Sequence, residues 1–396
     1  MPGPSTRQHG RRGPLDPVVA RARRCLTAAL AAPDDASEPR AADSLTTVAT
    51  GERVDALVAC SGGADSLALA AVAAHLVRRG DARIGAVVVD HSLYPDSDQV
   101  AADAAARCTD LGLAPVTVER VTVEPAGEGL EAAARHARYA ALDASARRVG
   151  ARVVLLAHTL DDQAEQVLLG VLRGSGTRSL AGIPPQRGSY RRPFLHPDLG
   201  LDRADTERVC SAEGLTWWED PANADRAFTR SRLRSIVLPL LARELGPGVA
   251  AGLARTAAIA ARDADHLDAE AADLYDRIAE RSPGRCVLPI AALRAAPPAL
   301  LPRVLATAAA HAGADALTRE RIGALEALVA PRADTGPGGA GPVPLPGGVT
   351  ARRLTAGTVG DARPGPAAGV DAAAAGSGTP AAVLELRGPA RPDHRR

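Results

Sequence analysis

The sequence predicts a doubly wound α/β fold with a mostly parallel sheet, followed by a smaller all-helical domain. Between about 54 and 173, short apolar runs alternate with longer stretches of helical spacing, the pattern of parallel strands joined by right-handed crossovers. Between about 250 and 330 the chain is rich in Ala, Leu and Arg, with helical spacing only. Ligands of such a sheet bind beyond the carboxyl ends of its strands, so we expect the chemistry after Cys60, Asp90 and Ala157.

Each predicted strand is a short apolar run that leads through a polar segment into a helix. The strands are VDALVAC from Val54, ARIGAVVVDH from Ala82, APVTVERV from Ala114 and ARVVLLAH from Ala151. The helices cover 67–80, closed by Gly80, and then about 98–111, 130–149 and 160–173. Strands that helices cover on both faces are apolar along nearly their whole length, which is the pattern seen here.

Changes of composition divide the chain into four predicted segments. They are 1–52, 53–246, 247–331 and 332–396. The first, rich in Ala, Arg, Pro and Asp, is predicted to be a flexible extension with one helix around 18–31. The second is the α/β domain and the third the helical domain. The fourth is rich in Pro, Gly and Ala and is predicted to be mostly disordered, with at most a short strand or hairpin around 348–353.

Composition argues against several classes of protein. The chain contains no lysine, which removes the Lys of a Walker A loop and with it the usual P-loop kinases and GTPases. Its five cysteines never fall in C-x-x-C spacing, which argues against a zinc ribbon or a thioredoxin-like site. No apolar run approaches the ~20 residues that span a bilayer, so we expect a cytoplasmic protein without a membrane role. With a net charge of +1, nucleic-acid binding would require local basic patches.

A glycine-rich turn, SGGADS, lies between the first predicted strand and its helix. Gly62 and Gly63 let backbone N–H groups approach phosphate oxygens, the hydroxyls of Ser61 and Ser66 add donors, and the helix dipole favours negative charge. Asp65 would be repelled by phosphate unless a divalent cation lay between them, which indicates a Mg²⁺ ligand. The simpler alternative is an ordinary turn in which one of the serines caps the helix.

The helix after the fourth strand begins with an acidic cluster, Asp161, Asp162 and Glu165. Thr159 and Asp162 have the spacing of a capping box, and carboxylates in a first turn favour the helix dipole, so a structural role is open for each of them. Asp162 and Glu165, however, lie at i and i+3 on one helix face at a strand's carboxyl end. That geometry is suited to gripping an ammonium group.

The turn SGGxDS resembles the pyrophosphate loop, or PP-loop, of the N-type ATP pyrophosphatases, which split ATP into AMP and pyrophosphate. The second strand end, VVVDHSL, is similar to the segment that holds adenosine in that superfamily. The resemblance implies a Rossmann-like sheet and a set of ATP-binding residues. That set is Ser61, Gly62, Gly63, Ala64, Asp65, Ser66, Asp90 and His91.

Four longer segments resemble the tRNA(Ile)-lysidine synthases within this superfamily. They are EAAARHARYAAL from Glu131, AHTLDDQAEQVLLGVLRGSG from Ala157, RRPFL from Arg191 and WWEDPANADRAFTRSRLRSIVLPLL from Trp217. The last is the most discriminating, because E-D-P-x-N, T-R-x-x-L-R and L-P-x-L follow one another there. The resemblance covers about 54–245, with weaker helical similarity to about 330.

The resemblance implies a carbon–nitrogen ligase that uses ATP and Mg²⁺. It would adenylate C2 of the wobble cytidine of tRNA(Ile) with anticodon CAU, after which the side-chain amine of L-lysine would attack to give lysidine, AMP and pyrophosphate. The catalytic residues are expected to be Asp65, as the metal ligand, with Asp162 and Glu165 as the lysine site. No obligatory protein partner is expected. The residues expected to bind RNA are Arg135, Arg138, Arg191, Arg192, Arg230 and Arg234.

The chain departs from the family pattern near its C-terminus, where several members carry a further domain that helps to grip tRNA. The helical segment 247–331 is expected to bind tRNA here. Two rival functions are a tRNA thiolase with the same ATP loop, which would need reactive cysteines such as Cys108 and Cys210, and a non-catalytic RNA-binding protein. Trp217 and Trp218 are expected in the core rather than as platforms for base stacking.

Overall fold

A computed structural model describes residues 15–33, 53–92, 96–123, 130–174, 176–220, 229–331, 342–354 and 382–389. The chain divides into two compact units, 1–261 and 262–396. The division falls beyond the predicted limit at 246 because one long helix, α10 (Val249–Ile278), passes through it.

The first unit is built on a six-stranded sheet. Its strands are β1 (Ala56–Ala59), β2 (Ile84–Asp90), β3 (Val116–Arg120), β4 (Val153–Leu155), β5 (Gln186–Arg187) and β6 (Tyr190–Arg191). The order across the sheet is β3-β2-β1-β4-β6-β5, and every pair is parallel except β5 with β6. The predicted mostly parallel, doubly wound sheet is therefore confirmed. The sequence did not predict β5 and β6, because two residues are too few to show a period.

The helices of this unit follow in chain order, and the first five lie at nearly the predicted positions. They are α1 (Pro17–Ala31), α2 (Ala64–Arg79), α3 (Ser97–Asp110), α4 (Leu130–Val149), α5 (Leu160–Leu172), α6 (Thr177–Leu180), α7 (Arg203–Ala212), α8 (Thr229–Arg232) and α9 (Leu238–Leu245). A π-helical turn, Leu233–Val237, joins α8 to α9. A 3-10 turn, Pro193–Leu195, precedes α7. The helix α2 ends at Gly80, whose φ of 74° is the left-handed conformation that favours glycine at a helix end.

The prediction of a flexible extension over 1–52 is corrected for residues 15–33, which form and flank α1. The side chains of α1 that are buried in the core of the first unit are Val18, Val19, Ala22, Cys25 and Leu26. Three arginine–carboxylate pairs link this segment to α7: Asp16–Arg208 at 2.9 Å, Arg23–Glu213 at 3.2 Å and Arg21–Asp205. The apolar face of α1 is short and surrounded by arginines, so composition suggested a solvated segment although the spacing of its apolar residues is helical. The remainder of 1–52 lies outside the described residues.

The second unit contains the predicted helices together with a sheet. The helices are the end of α10, α11 (Ile290–Ala295), α12 (Leu301–His311) and α13 (Arg319–Val329). The strands are β7 (Glu280–Ser282), β8 (Arg285–Pro289), β9 (Val343–Pro344), β10 (Thr350–Leu354) and β11 (Val383–Arg387), in the antiparallel order β7-β8-β11-β10-β9.

The expectation of an all-helical second domain is therefore corrected, and so is that of disorder for 343–344 and 383–387. The short strand or hairpin expected around 348–353 corresponds to β10, which pairs with β9. Leu384 and Leu386 of β11 are fully buried opposite Leu288 and Cys286 of β8. Strands of two to five residues leave little periodic signal in a sequence, and β8 pairs with β11 about a hundred positions away, beyond the reach of any local pattern.

No single helix among the described residues is long and apolar enough to cross a bilayer. One helix pair, Thr229–Leu245 with Val249–Ile278, meets that length and composition only when taken together, and it is bent by 100°.

Candidate active site

The glycine-rich turn lies where β1 ends and α2 begins. Gly62 has a φ of +82°, and a side chain there would also bring Cβ to 3.3 Å from Cβ of Ala104. Ser66 Oγ organises the turn, since it accepts a hydrogen bond from the Ser61 amide at 3.1 Å and lies 3.0 Å from the Gly63 carbonyl oxygen, to which it donates. The N-cap residue of α2 is Gly63, without a side-chain cap. The alternative of a serine-capped turn is therefore wrong, and the helix N-terminus keeps the character of an anion site.

Asp65 stands in the first turn of α2 and reaches α7. Its Oδ1 lies 2.5 Å from Thr206 Oγ1, and its Oδ2 lies 3.7 Å from Arg203 Nε. Burial raises the pKa of Asp65 to about 6, although Thr206 and Arg203 oppose that shift. An ionised carboxylate in such a place is stabilised by a nearby cation.

Asp162 and Glu165 lie side by side on α5 and share one cation, Arg234. The Nε and Nη2 of Arg234 donate to the two oxygens of Glu165 at 2.7 and 3.1 Å, and Nη2 also donates to Asp162 Oδ1 at 3.0 Å. Glu165 is fully buried, and burial raises its pKa even though Arg234 acts in the opposite sense. The two carboxylates on one face of α5 therefore hold a cationic side chain, Arg234, between them.

Asp162 and Asp161 also have structural roles, and the capping-box spacing of the acidic cluster predicts that of Asp162. Asp162 Oδ2 accepts from the Thr159 amide at 2.8 Å in a capping box, which leaves Oδ1 for Arg234. Asp161 points to a different helix, because its Oδ2 accepts from the backbone N–H of Arg203 at 2.7 Å, at the start of α7. Asp161 thus joins α5 to α7, while Asp162 serves both the helix and the site.

A cavity of about 400 Å³ opens beside the turn, at the ends of β1 and β2. Its volume lies in the range typical of small-molecule sites. Side chains from α3 and α4 contribute to its wall, together with residues close to Trp218. The polar and aromatic residues that line it are Ser61, Asp90, His91, Ser92, Asp96, Ser97, Arg138, Trp218 and Asp220, with Cys60. The predicted adenosine residues thus lie together on one wall.

Asp90 and His91 differ in how they are held. Asp90 accepts from the Ser92 amide at 2.8 Å and from Arg120 Nε at 3.0 Å, and these partners outweigh burial and lower its pKa. His91 Nδ1 is buried without a hydrogen-bond partner among the described residues. Burial and the charge of Arg138 lower the pKa of His91, so its imidazole is neutral at pH 7.

Sequence reasoning missed two residues at the site. His158 follows β4, and its Nδ1 is buried without a partner among the described residues; burial lowers its pKa to about 3, against the opposing charge of Asp162. Trp218 was expected in the core, but it lines the cavity and its amide donates to the Gly62 carbonyl at 3.0 Å. Both residues lie inside segments that resemble the family, the one from Ala157 and the one from Trp217, and that membership was the only sequence signal that could have identified them. Trp217 packs against the core as expected.

The six predicted RNA-binding arginines fall into different environments. Arg135 is exposed, Arg230 is half-buried beside Gln166, Arg138 lines the cavity, and Arg234 holds the two carboxylates. The other two form part of the scaffold.

Arg191 and Arg192 are only 2% and 5% exposed. Arg191 Nη1 donates to the Gly188 carbonyl at 2.7 Å, and Arg192 Nη1 donates to the Pro184 carbonyl at 3.0 Å. Their predicted contact with RNA is therefore corrected. Buried guanidinium groups that satisfy backbone carbonyls stabilise a loop and are not available to a phosphate.

Two family models match the chain. The PP-loop domain matches residues 38–241, and the TilS substrate binding domain matches residues 288–353. The first covers the unit that carries the turn, the cavity and the carboxylates. The second spans the region in which helices and antiparallel strands share a core.

Curated relatives agree with both matches. The tRNA(Ile)-lysidine synthase of Leifsonia xyli is 49% identical over 74% of this chain and 85% of its own length, and that of Streptomyces coelicolor is 49% identical over 75% and 82%. The enzyme of Salinispora tropica is 47% identical over 76% and 90%. One solved structure, the U34-tRNA thiolase NcsA of Methanococcus maripaludis, aligns with 61% of this chain and 78% of its own. The TM-score is 0.46 and the sequence identity 14%, a likeness too low to support any conclusion. By its sequence relatives and its two family models, the chain belongs to the tRNA(Ile)-lysidine synthases.

Proposed function

We propose that this chain joins free L-lysine to C2 of the wobble cytidine of tRNA(Ile) with anticodon CAU, and that ATP is converted to AMP and pyrophosphate. The observation that carries the proposal is the proximity of two sites for oppositely charged ligands. Arg203 lies between them, with Nε 3.7 Å from Asp65 beside the phosphate turn and Nη2 3.8 Å from Asp162 of the carboxylate pair. A reaction that activates a base with ATP and then attacks it with an amine requires both sites within reach of one carbon atom.

Adenylation would use the turn and the cavity. The C2 oxygen of cytosine is a poor leaving group until it has attacked the α-phosphate of ATP and released pyrophosphate. Adenosine would lie against Asp90 and His91, and the triphosphate would reach the N-terminus of α2, where N–H groups stabilise the charge that develops on the leaving pyrophosphate.

The residues around Asp65 fit a magnesium ion. A single carboxylate together with phosphate oxygens and water is the ligand set that Mg²⁺ prefers at nucleotide sites. Burial raises the pKa of Asp65, and a cation beside the carboxylate would favour the ionised form that binds metal. Bound Mg²⁺ would neutralise phosphate charge, and Asp65 would orient it.

Lysine would bind to Asp162 and Glu165. Their present ligand, the Arg234 guanidinium, supports this assignment because it is itself a nitrogen cation held by both carboxylates. The ε-ammonium of lysine would take its place, which requires Arg234 to move. We assign proton removal to Glu165, since a carboxylate with a raised pKa is the better base toward an ammonium group.

The RNA would approach across Arg135 and Arg230, which are accessible in whole or in part, with Arg138 inside the cavity. An unstacked wobble base would enter between the two ligand sites. A tRNA substrate is consistent with the expected cytoplasmic location. The rival thiolase reaction requires reactive cysteines, and the two weighed for it, Cys108 and Cys210, are buried. The hydrogen bond with Cys60 raises the pKa of Cys108, and burial raises the pKa of Cys210 to about 12.

The proposal is tested by incubating the protein with labelled L-lysine, ATP, Mg²⁺ and an unmodified tRNA(Ile) transcript with anticodon CAU. A transcript with wobble U in place of C is the control. Incorporation into the C-bearing transcript alone is the expected result. Pyrophosphate release that depends on tRNA, without lysine incorporation, would keep the ATP site and reject the lysine assignment. Absence of both in folded protein would reject the proposal.

A further inference from the structure

Asp65 is held from α7 as well as from its own helix. Thr206 is fully buried on α7, and its Oγ1 lies 2.5 Å from Asp65 Oδ1 and 2.8 Å from the carbonyl oxygen of Arg203. A hydroxyl has one proton to donate, and the ionised carboxylate is the stronger of these acceptors. The short distance is typical of a charge-assisted O–H···O⁻ bond. Oδ1 of Asp65 is therefore committed to Thr206.

The helix that carries Thr206 is fixed at both ends. At its start, the Arg203 amide donates to Asp161 on α5 at 2.7 Å. Near its end, Cys210 Sγ donates to the Ala64 carbonyl in the first turn of α2 at 3.3 Å. The three arginine–carboxylate pairs with α1 and Asp16 described above add further links. Thr206 is therefore a donor whose position is set by three neighbouring elements.

The second oxygen of Asp65 is left for another ligand. Among the described residues, the cation nearest to Oδ2 is Arg203, whose Nε is 3.7 Å away and whose Nη2 also approaches Asp162. Oδ2 therefore lies on the side where the phosphates and the carboxylate pair meet. The Asp65 side chain is 26% exposed, so the carboxylate is not sealed from solvent.

We propose that Thr206 is a positioning residue for the divalent cation. Its hydroxyl fixes Oδ1, and so holds the carboxylate in the rotamer that presents Oδ2 to Mg²⁺ on the nucleotide. The inference rests on the proposed function, because it takes Asp65 as the metal ligand. Partners that orient a metal ligand commonly change metal affinity by 10- to 100-fold when they are removed. A threonine that only stabilised the core would change stability without a specific effect on Mg²⁺.

The test compares four variants of the full chain. Thr206→Val removes the hydroxyl at nearly constant volume, and Thr206→Ser keeps it. Ser211→Ala is the matched control, since it removes from the same helix a hydroxyl that donates to the backbone carbonyl of Glu207. Asp65→Asn is the reference for loss of the ligand charge. Calorimetry measures ATP affinity in EDTA and in Mg²⁺. Kinetic assays measure the Mg²⁺ concentration that gives half-maximal pyrophosphate release. The Tm of each variant reports whether it folds.

For Thr206→Val we expect ATP affinity in EDTA to stay within about twofold, the gain in affinity from Mg²⁺ to be lost, and the half-maximal Mg²⁺ concentration to rise about tenfold. Thr206→Ser should restore both Mg²⁺ responses. A wild-type Mg²⁺ response in Thr206→Val, or equal losses in EDTA and in Mg²⁺, would overturn the inference. If Asp65→Asn itself kept the wild-type response, the assignment of Asp65 would fail instead. If Thr206→Val does not fold, a Thr206→Ser variant with a Tm and Mg²⁺ response like wild type supports the inference, and one that folds but loses the response overturns it.

Discussion

The two candidate ligand sites of the first unit, the phosphate turn and the carboxylate pair, differ in whether backbone or side chains form them. The phosphate turn is made of backbone, with Gly62 in a left-handed conformation and a helix N-terminus that carries no side-chain cap. The carboxylate pair is made of buried side chains whose charges are balanced by Arg234. A backbone site depends on conformation and is nearly independent of pH. A site of buried charges depends on each partner, because the loss of one leaves the others uncompensated.

The first prediction concerns Asp65, the one charged side chain of the turn. Asp65→Ala should reduce pyrophosphate release that depends on tRNA by about 10²- to 10³-fold, because the charge that orients the cation at the leaving group is lost. Pyrophosphate assays at saturating ATP measure this loss. Asp81→Ala, which breaks only an exposed pair with Arg79, is the control and should retain activity. A mild defect in Asp65→Ala would mean that the backbone alone is sufficient.

The second prediction separates the two sites. Glu165→Gln should leave pyrophosphate release within about twofold but raise the KM for lysine by about 10- to 100-fold, because a charge-assisted contact to the ammonium group is lost. Lysine transfer at saturating lysine should also slow, because the assigned base is lost. Lysine incorporation at varied lysine concentration measures it. Wild-type behaviour at limiting lysine would show that the amino-acid pocket lies elsewhere.

The third prediction follows from the raised pKa of Asp65. Its folded-state value of about 6 lies above the usual 3.8, so protonated Asp65 stabilises the fold fully below pH 4, and that contribution is lost as the pH rises through about 6. The Asn side chain of Asp65→Asn is neutral at every pH, so this variant should keep the stabilising contribution of the neutral side chain. Its advantage in the free energy of unfolding should grow from near zero at pH 4 to about 3 kcal/mol at pH 7, in the absence of nucleotide. Urea unfolding across this range checks the slope, and a constant difference between the two proteins would contradict it.

The fourth prediction tests conformation without charge. Gly62→Ala should raise the KM for ATP about tenfold, because an alanine at φ +82° is strained and its Cβ meets Ala104 at 3.3 Å. Gly80→Ala is the matched control, since Gly80 has a φ of +74° but no neighbour within 4 Å of an added Cβ. Both variants should lose stability, and only the first should lose ATP affinity. Equal KM values would show that the turn tolerates the strain.

The contrast between the sites also explains how far the sequence could be interpreted. The turn and the i, i+3 carboxylates are local patterns, so their chemistry is legible from a few adjacent letters. The ion pair of Arg234 with Glu165 joins residues 69 positions apart, and no local pattern indicates it. The same holds for Thr206 with Asp65, 141 positions apart. Burial of Arg191 and Arg192 was missed for a related reason, because arginine usually indicates a surface.

The order of strands in the second unit has a consequence for synthesis. Residues 383–387 form β11, which lies between β8 and β10, so those two strands have no direct pairing with each other. While the ribosome is still adding residues before 383, both strands present unpaired edges of the kind that promote aggregation. The first unit contains all its strands by Arg191 and can complete its sheet much earlier. A nascent chain therefore passes through a stage in which the sheet of the first unit is complete and that of the second unit still lacks its central strand. During that stage the unpaired edges of β8 and β10 need protection from aggregation.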